Sequence, residues 1–235
     1  MAYDKVVDST VLNAGLTQIA GAIRAKTGTG GTLAFPSGFV SAIEGLSGGG
    51  ATEPYIEETF DQYGNLIDAV MHGYTSIRPY AFYQCTNLAL ISLPAGITSI
   101  GKNAFYNCYE LALTSLPAGI TSIDSSVFYN CYELALTSLP AGLTSIGNYT
   151  FRNCYKLALT SLPAGLTSIG NYTFQNCAGL TTITFEGTPQ LINSSAFSGC
   201  TNITTINVPW AEGAIANAPW GATNATINYN YTPEG

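Results

Sequence analysis

Charged residues are scarce in this chain: only 9% of its 235 residues are Asp, Glu, Lys or Arg. Helix-rich soluble proteins usually carry far more Lys and Glu, so the composition favours β-structure and turns. The 7 basic residues stand against 14 acidic ones, which gives a net charge of −7. So few cations cannot neutralise many phosphates, and we therefore expect neither nucleic acid nor an anionic membrane as a partner.

Long apolar runs and a basic, apolar leader are also missing. No uninterrupted apolar stretch approaches the ~18 residues of a membrane helix. The start, MAYDKVVDST, lacks the pattern of a secretory signal. We therefore expect a soluble protein made in the cytosol. Its apolar content of 46% is nevertheless enough for a sizeable core.

Histidine is nearly absent, since His72 is the only one. Any Ser–His or Cys–His nucleophile would depend on it, and no acid is paired with it by spacing. Glu110, Glu133 and Lys156 occupy equivalent repeat positions, which indicates a surface site that tolerates either sign rather than an acid–base pair. The sequence shows no phosphate-binding loop either. We expect a protein that is not an enzyme and has no cofactor.

An internal repeat of 23 residues dominates the rest of the sequence. The cysteines keep this step at Cys85, Cys108, Cys131, Cys154, Cys177 and Cys200. The phenylalanines keep it at Phe82, Phe105, Phe128, Phe151, Phe174 and Phe197. Three further apolar columns start at Ile77, Leu88 and Leu93. A unit this short cannot bury its own apolar face, so the pattern predicts stacked coils that share one core.

The spacing within one copy predicts the structure of a coil. Phe105, Cys108 and Leu111 lie three residues apart, as on one face of a short helix or 3₁₀ turn. A short strand should follow and end at Pro-Ala-Gly. Leu113 falls one position off the alternation of that strand, which suggests a bulge. The late copy CAGLTTITFEG alternates cleanly, with Ile183 and Phe185 predicted to face inward.

The cysteine column allows three interpretations: disulfides, metal ligands or buried thiols. Side chains that point in parallel from successive coils fit disulfide geometry poorly. A linear array also fails to converge on a tetrahedral zinc ion. A thiol packs well as a small apolar group. We therefore predict six reduced, buried cysteines.

The string LTSIGNYTFRNCYKL resembles the BspA-type leucine-rich repeat, whose pattern is roughly L-x-x-I-x-x-x-A-F-x-x-C-x-x-L. The resemblance covers residues 73–208. It implies a curved right-handed solenoid, found on bacterial, protozoan or phage surfaces and generally used for adhesion. The fold class we expect is an α+β repeat solenoid of six 23-residue coils, with an N-terminal helical module and β caps.

Residues 1–46 have a different character. Leu12, Leu16, Ile19 and Ile23 follow the a/d spacing of a coiled-coil seam, which predicts an oligomerisation helix, with a trimer favoured. The stretch AIRAKTGTGGTLAFPSGFVSAIEGL resembles a small N-terminal module of phage and prophage tail-associated proteins. That resemblance implies contacts with other tail or baseplate proteins. The alternative is a helical hairpin that only begins the protein.

The remaining segments are predicted to link and cap the solenoid. Residues 47–54 form a Gly-rich linker, and residues 55–72 form a β-hairpin cap that turns at 62–65. Residues 209–235 form a C-terminal cap that ends in a closing strand. Within it, Trp210 and Trp220 serve either as a lid over the core or as a sugar-binding face.

Tyrosines occupy positions that point away from the predicted core. They repeat from coil to coil and form a candidate ligand-binding surface on the convex side, made of Tyr83, Tyr106, Tyr109, Tyr129, Tyr132 and Tyr155. Tyrosine offers a large contact area at low entropic cost. The alternative is that the rings stack only to stabilise the solenoid. A second, chemically plain face carries Ser92, Ser115, Ser138, Ser161 and Thr184.

These observations lead to three functional hypotheses. The first is a phage tail or baseplate receptor-binding protein on the virion, which recognises a host-surface protein or glycan. The second is a bacterial cell-surface adhesin with the same repeats. The third is a virion structural or decoration protein without a ligand.

Overall fold

The structure, a computed structural model, describes residues 54–232. The helical module predicted for residues 1–46, with Leu12, Leu16, Ile19 and Ile23, lies outside the described residues. All but the last residue of the linker 47–54 does so as well. Those predictions therefore remain predictions.

A two-stranded sheet precedes the first coil. Its strands are β1, Tyr55–Phe60, and β2, Leu66–His72. The Asp61 side chain holds the turn between them, because its carboxylate accepts from the backbone N–H groups of Tyr63 and Asn65 at 2.8 and 2.9 Å. The inward face of β2 is buried in the core, and the N–H of Ala89 in the first coil donates to the carbonyl of Ile67. The hairpin thus packs against the first coil.

One parallel sheet runs along the whole solenoid. Its six strands have two residues each: β3 Ser76–Ile77, β4 Ser99–Ile100, β5 Ser122–Ile123, β6 Ser145–Ile146, β8 Ser168–Ile169 and β10 Leu191–Ile192. Neighbouring strands pair in register with residues 23 positions away. The β-branched Ile of each strand is buried, and the first residue points outward. We call this outer side the serine sheet face.

A second parallel sheet exists only toward the C-terminal end. It consists of β7 Ser161–Leu162, β9 Thr182–Phe185, β11 Thr205–Asn207 and β12 Thr226–Asn228. In β9, Ile183 and Phe185 are buried as predicted. The LALTSLP segments at 111–117 and 134–140 form no strand, whereas the one at 157–163 contains β7. In one of them Thr114 and Ser115 are exposed in succession after the buried Leu113, so the alternation breaks where we expected a bulge.

The helix or 3₁₀ turn predicted at the Phe-x-x-Cys-x-x-Leu segments is wrong. Within residues 54–232 the chain forms no helix, and these segments are successions of tight turns. The reason is backbone conformation: Asn103 and Asn107 have φ of 56° and 60°, and the equivalent residues of most other coils are also left-handed. A left-handed residue every fourth position interrupts a right-handed helix. It also leaves N–H groups to bond the next coil, as Asn107 does to the carbonyl of Tyr129 at 2.8 Å.

The solenoid has about seven coils rather than the predicted six, because the C-terminal segment continues the stack. In this last, irregular coil the carbonyl of Trp220 accepts from the N–H of Phe197, as core residues do in earlier coils. Trp210 and Trp220 are buried and contact each other with ring centroids 6.2 Å apart. They also contact Phe185, so the lid interpretation is correct. Such a lid keeps the last core layer from water.

Candidate functional site

The six predicted tyrosines form two stacked ladders on the outside of the turn segments. In the first ladder, Tyr106 stacks on Tyr83 at 5.1 Å and on Tyr129 at 4.6 Å between ring centroids. In the second, Tyr132 stacks on Tyr109 at 4.9 Å and on Tyr155 at 5.1 Å. We call these six residues the tyrosine surface. The structure therefore brings together all the residues that the sequence singled out.

These side chains are less exposed than predicted. Tyr106, Tyr109, Tyr129 and Tyr132 are half-buried, because the ring faces of successive coils cover each other. Partial burial raises the pKa of the Tyr106 and Tyr132 hydroxyls above the ordinary value, and the neighbouring tyrosines add to the effect. The stacking alternative is thus part of the structure. Stacking covers the ring faces of these four tyrosines, so a binding partner contacts their ring edges and hydroxyls.

The first ladder ends at Tyr129 in the third coil, and the second ends at Tyr155 in the fourth coil. At the next position of the first ladder stands Arg152, whose guanidinium carbon lies 5.2 Å from the centre of the Tyr129 ring. The second ladder ends at Tyr155, which is 46% exposed and is followed one coil later by Ala178. A guanidinium over an aromatic face is a favourable cation–π contact. The end of the surface therefore differs chemically from its middle.

A third, shorter stack lies beside the tyrosine surface, and the sequence analysis missed it. Tyr149 and Tyr172 are stacked at 5.5 Å, and Arg152 also lies 5.9 Å from the ring centre of Tyr149. Their common 23-residue spacing is visible in the sequence and would have predicted the stack. The guanidinium of Arg152 thus contacts rings of two columns.

An asparagine ladder between the two tyrosine columns was also missed. The side-chain amides of Asn130, Asn153 and Asn176 each donate to the side-chain oxygen of the equivalent Asn one coil earlier, at 2.8, 2.6 and 2.9 Å. Asn suits the site because it tolerates the left-handed backbone found there. The ladder ends at Gly199, where a Cβ would come within 2.1 Å of the Asn176 side-chain oxygen. The 23-residue spacing of these asparagines is visible in the sequence and would have predicted the ladder.

All six cysteines are free thiols in the structure, and five of them are buried. From the second coil onward each Sγ donates to the carbonyl of the Phe in the preceding coil, for example Cys131 to Phe105 at 3.1 Å. Burial raises the pKa of Cys85 to about 11 and that of Cys131 well above its ordinary value. Thiolates are the reactive form, so the Cys85 and Cys131 thiols are inert at neutral pH.

His72 lies on β2, and its Nε2 is 3.5 Å from Oε1 of Glu57 on the neighbouring strand. An acid is therefore close to it, contrary to the expectation from spacing. Glu133 and Lys156 form a surface ion pair across two coils. No cluster of His, Cys, Asp or Glu suited to a metal ion occurs in residues 54–232.

The serine sheet face forms a shallow groove of about 690 Å³, lined by the outward serines and by the glycines that follow the strands. It is distinct from the chemically plain face that the sequence predicted along the Ser92-to-Thr184 column. That column reaches a sheet only at Ser161 and Thr184. Residues 54–232 contain no helix long and apolar enough to cross a membrane.

Several solved structures resemble this fold. A leucine-rich-repeat protein of T. pallidum is 24% identical with a TM-score of 0.50, over 65% of this chain and 81% of that one, and shows the fold alone. One from Bacteroides ovatus is 25% identical with a TM-score of 0.53, over 65% of this chain and 45% of that one. A leucine-rich cell surface protein of Faecalibacterium prausnitzii is 34% identical with a TM-score of 0.52, over 58% of this chain and 37% of that one.

This chain thus spans less than half the length of the last two proteins. No curated protein sequence matches it significantly. The sequence pattern of the family described as the BspA type leucine-rich repeat region matches residues 57–159 and 121–217, together more than half of the chain. The stacked coils, the Phe and Cys columns and this match agree, and the chain belongs to the BspA-type leucine-rich-repeat family.

Proposed function

We propose that this protein is a non-enzymatic adhesion protein that recognises a host-surface protein or glycan through its tyrosine surface. The observation that carries the proposal is the concentration of six stacked, partly exposed tyrosines on adjacent coils. Stacking fixes the side chains before binding, so little rotamer entropy is lost when a partner docks. The phenolic hydroxyls supply hydrogen bonds beside the apolar ring edges.

The test is binding of the protein to candidate host cells, comparing the wild type with the variant Tyr106→Ser/Tyr109→Ser/Tyr129→Ser/Tyr132→Ser. Loss of a true anchor costs ~2 kcal/mol or more, which is over tenfold in affinity. The matched control is Tyr63→Ser, which removes a tyrosine that is 82% exposed in the hairpin turn, away from the ladders. We expect the control to bind like the wild type.

Stability is measured in parallel by urea unfolding, because the ladders also contribute to the fold. Binding that survives in a folded quadruple variant would assign the site to the serine sheet face or leave the protein without a ligand. Binding lost together with the fold would assign the tyrosines a structural role only. Binding lost in a variant that unfolds at nearly the wild-type urea concentration is the result we expect.

An adhesion protein of this kind fits two locations, the phage virion and the bacterial cell surface. The resemblance of residues 22–46 to tail-associated modules supports a phage virion, with other tail or baseplate proteins as partners of residues 1–46. The 34% identity to a protein described as a cell surface protein supports the bacterial surface. An antibody against residues 54–232 distinguishes them. Signal in purified virions after prophage induction supports the first, and signal on washed, uninduced cells supports the second.

Homo-oligomerisation through the N-terminal segment is part of the proposal. The a/d spacing of Leu12, Leu16, Ile19 and Ile23 favours a trimer, because the apolar stripe is too narrow for a fully buried helix. Light scattering should give about three times the chain mass for the full-length protein and a single chain mass for a truncated chain that begins at Thr52. Equal association states for the two proteins would favour the helical-hairpin alternative.

A further inference from the structure

The fourth coil presents a combination of groups that occurs at the end of the tyrosine surface and not along it. Arg152 and Tyr155 lie three residues apart on the same turn segment, like the pair Tyr129 and Tyr132 of the preceding coil. Those two tyrosines are close enough for Tyr129 to contribute to the raised pKa of Tyr132. A cation and an open aromatic ring therefore lie side by side.

Within residues 54–232, one face of the Tyr155 ring has no stacking partner. Its other face lies on Tyr132 at 5.1 Å. One coil further on, the equivalent position is Ala178, too small to reach a ring 23 residues earlier in the way a tyrosine does, and Tyr155 is accordingly 46% exposed. An aromatic face above a small residue is a platform for a flat apolar surface such as the C–H face of a sugar ring.

Arg152 carries a charge that no acid in residues 54–232 neutralises, because no Asp or Glu oxygen of that part lies within 4.0 Å of it. Its contacts are the rings of Tyr129 and Tyr149, which hold the guanidinium in place. The buried Nε has no hydrogen-bond partner in the described chain. In the following coil the buried side-chain oxygen of Gln175 also lacks one. Both atoms are buried and are therefore not contact points for a ligand. What Arg152 offers to a ligand is its charge, held in place on the two rings.

We propose that Arg152 and Tyr155 form the anchoring subsite for an acidic glycan, one whose sugar carries a carboxylate. The guanidinium binds the carboxylate through two parallel N–H···O hydrogen bonds, which its planar fork favours. The sugar ring lies on the open face of Tyr155. This inference rests on the proposed adhesion through the tyrosine surface and names the ligand class.

The charge of the whole chain makes this subsite selective. The net charge of −7 disfavours polyanions in general, so an acidic ligand needs a local cation that is already oriented. Arg152 supplies one on a surface where the neighbouring Lys156 is paired with Glu133. A single carboxylate per sugar therefore fits the site better than a densely charged polymer.

The experiment titrates the full-length protein with 3′-sialyllactose, oligogalacturonate and their uncharged counterparts, lactose and methyl-esterified oligogalacturonate. We expect one of the two carboxylated sugars to bind, with its uncharged counterpart at least about tenfold weaker. Arg152→Gln should abolish that preference, and Arg152→Lys should restore only part of it, because an ammonium cannot form the bidentate contact. Tyr155→Ser should weaken both forms of the sugar.

Lys102→Gln is the control, since it removes one positive charge from another exposed site, and thermal unfolding of each variant verifies the fold. The inference is overturned if neither carboxylated sugar binds, or if Arg152→Gln binds it like the wild type. If treating the cells with periodate leaves binding unchanged and treating them with protease abolishes it, the ligand is a protein. That result would also overturn the inference. In that event the adhesion proposal stands, whereas both fail if the quadruple tyrosine variant binds cells undiminished.

Discussion

The phenylalanine column and the tyrosine surface repeat with the same period and nearly the same ring spacing, but they differ in continuity. The six Phe rings stack without interruption at 5.1–5.6 Å and are at most 4% exposed. The tyrosine ladders stack at 4.6–5.1 Å and end in the third and the fourth coil. Every coil needs the same core to stack on its neighbours, whereas an outer column has no such constraint. The coil at which an outer column ends is therefore more informative about the role of that column than its repeat period is.

The largest expected difference between the two columns is in stability. Phe128→Ala should lower the free energy of unfolding by ~3–5 kcal/mol, because it leaves a cavity between two stacked rings. Urea unfolding followed by circular dichroism measures the loss. The neighbouring Tyr129→Ser should cost much less, since that ring lies outside the core. Equal losses in the two variants would contradict the distinction between inner and outer columns.

The loss of stability expected for the asparagine ladder lies between those expected for the phenylalanine column and for the tyrosine surface. Asn130→Ala should cost about 1–3 kcal/mol, because the Asn107 side-chain oxygen loses its donor and the Asn153 amide loses its acceptor. Part of the loss is conformational, since Ala is disfavoured at the φ of 59° found there. Asn130→Gly separates the two contributions, because Gly adopts this φ without strain. If Asn130→Gly unfolds like the wild type, the hydrogen bonds of the ladder do not stabilise the coils.

The smallest expected effect is on the pH dependence of stability, and it tests whether water reaches the buried cysteine column. The pKa of Cys131 is raised in the folded protein by burial, so its protonated form stabilises the fold fully below the unfolded-state value of about 8.5. That contribution is lost as the pH rises above it, because the unfolded chain then releases the proton and the folded one does not. The stability of the wild type should therefore fall between pH 8 and pH 10. In Cys131→Ala the fall should be smaller by up to about 1.4 kcal/mol per pH unit. An unchanged slope would mean that water reaches the Cys131 thiol.

Prediction from the sequence succeeded where a residue's environment repeats. The inward columns, the free thiols and the Trp lid all follow from side-chain type and spacing. The helix prediction failed because a three-residue spacing is shared by helices and by successive turns. Only the backbone conformation of residues such as Asn103 and Asn107 separates the two. The seventh coil was missed because Trp220, 23 residues after Phe197, replaces the repeat's Phe, and Thr223 replaces its Cys.

The sequence by itself determined that the chain stacks 23-residue coils and which side chains fill their core, because burying apolar area requires the same residue types at the same place in every coil. The tertiary structure alone decided which outer residues meet. It placed Arg152 on the rings of Tyr129 and Tyr149, and it left one face of Tyr155 open above Ala178. Such contacts join residues of different columns and coils, and their geometry depends on how the turns orient each side chain. A one-dimensional period contains no such information.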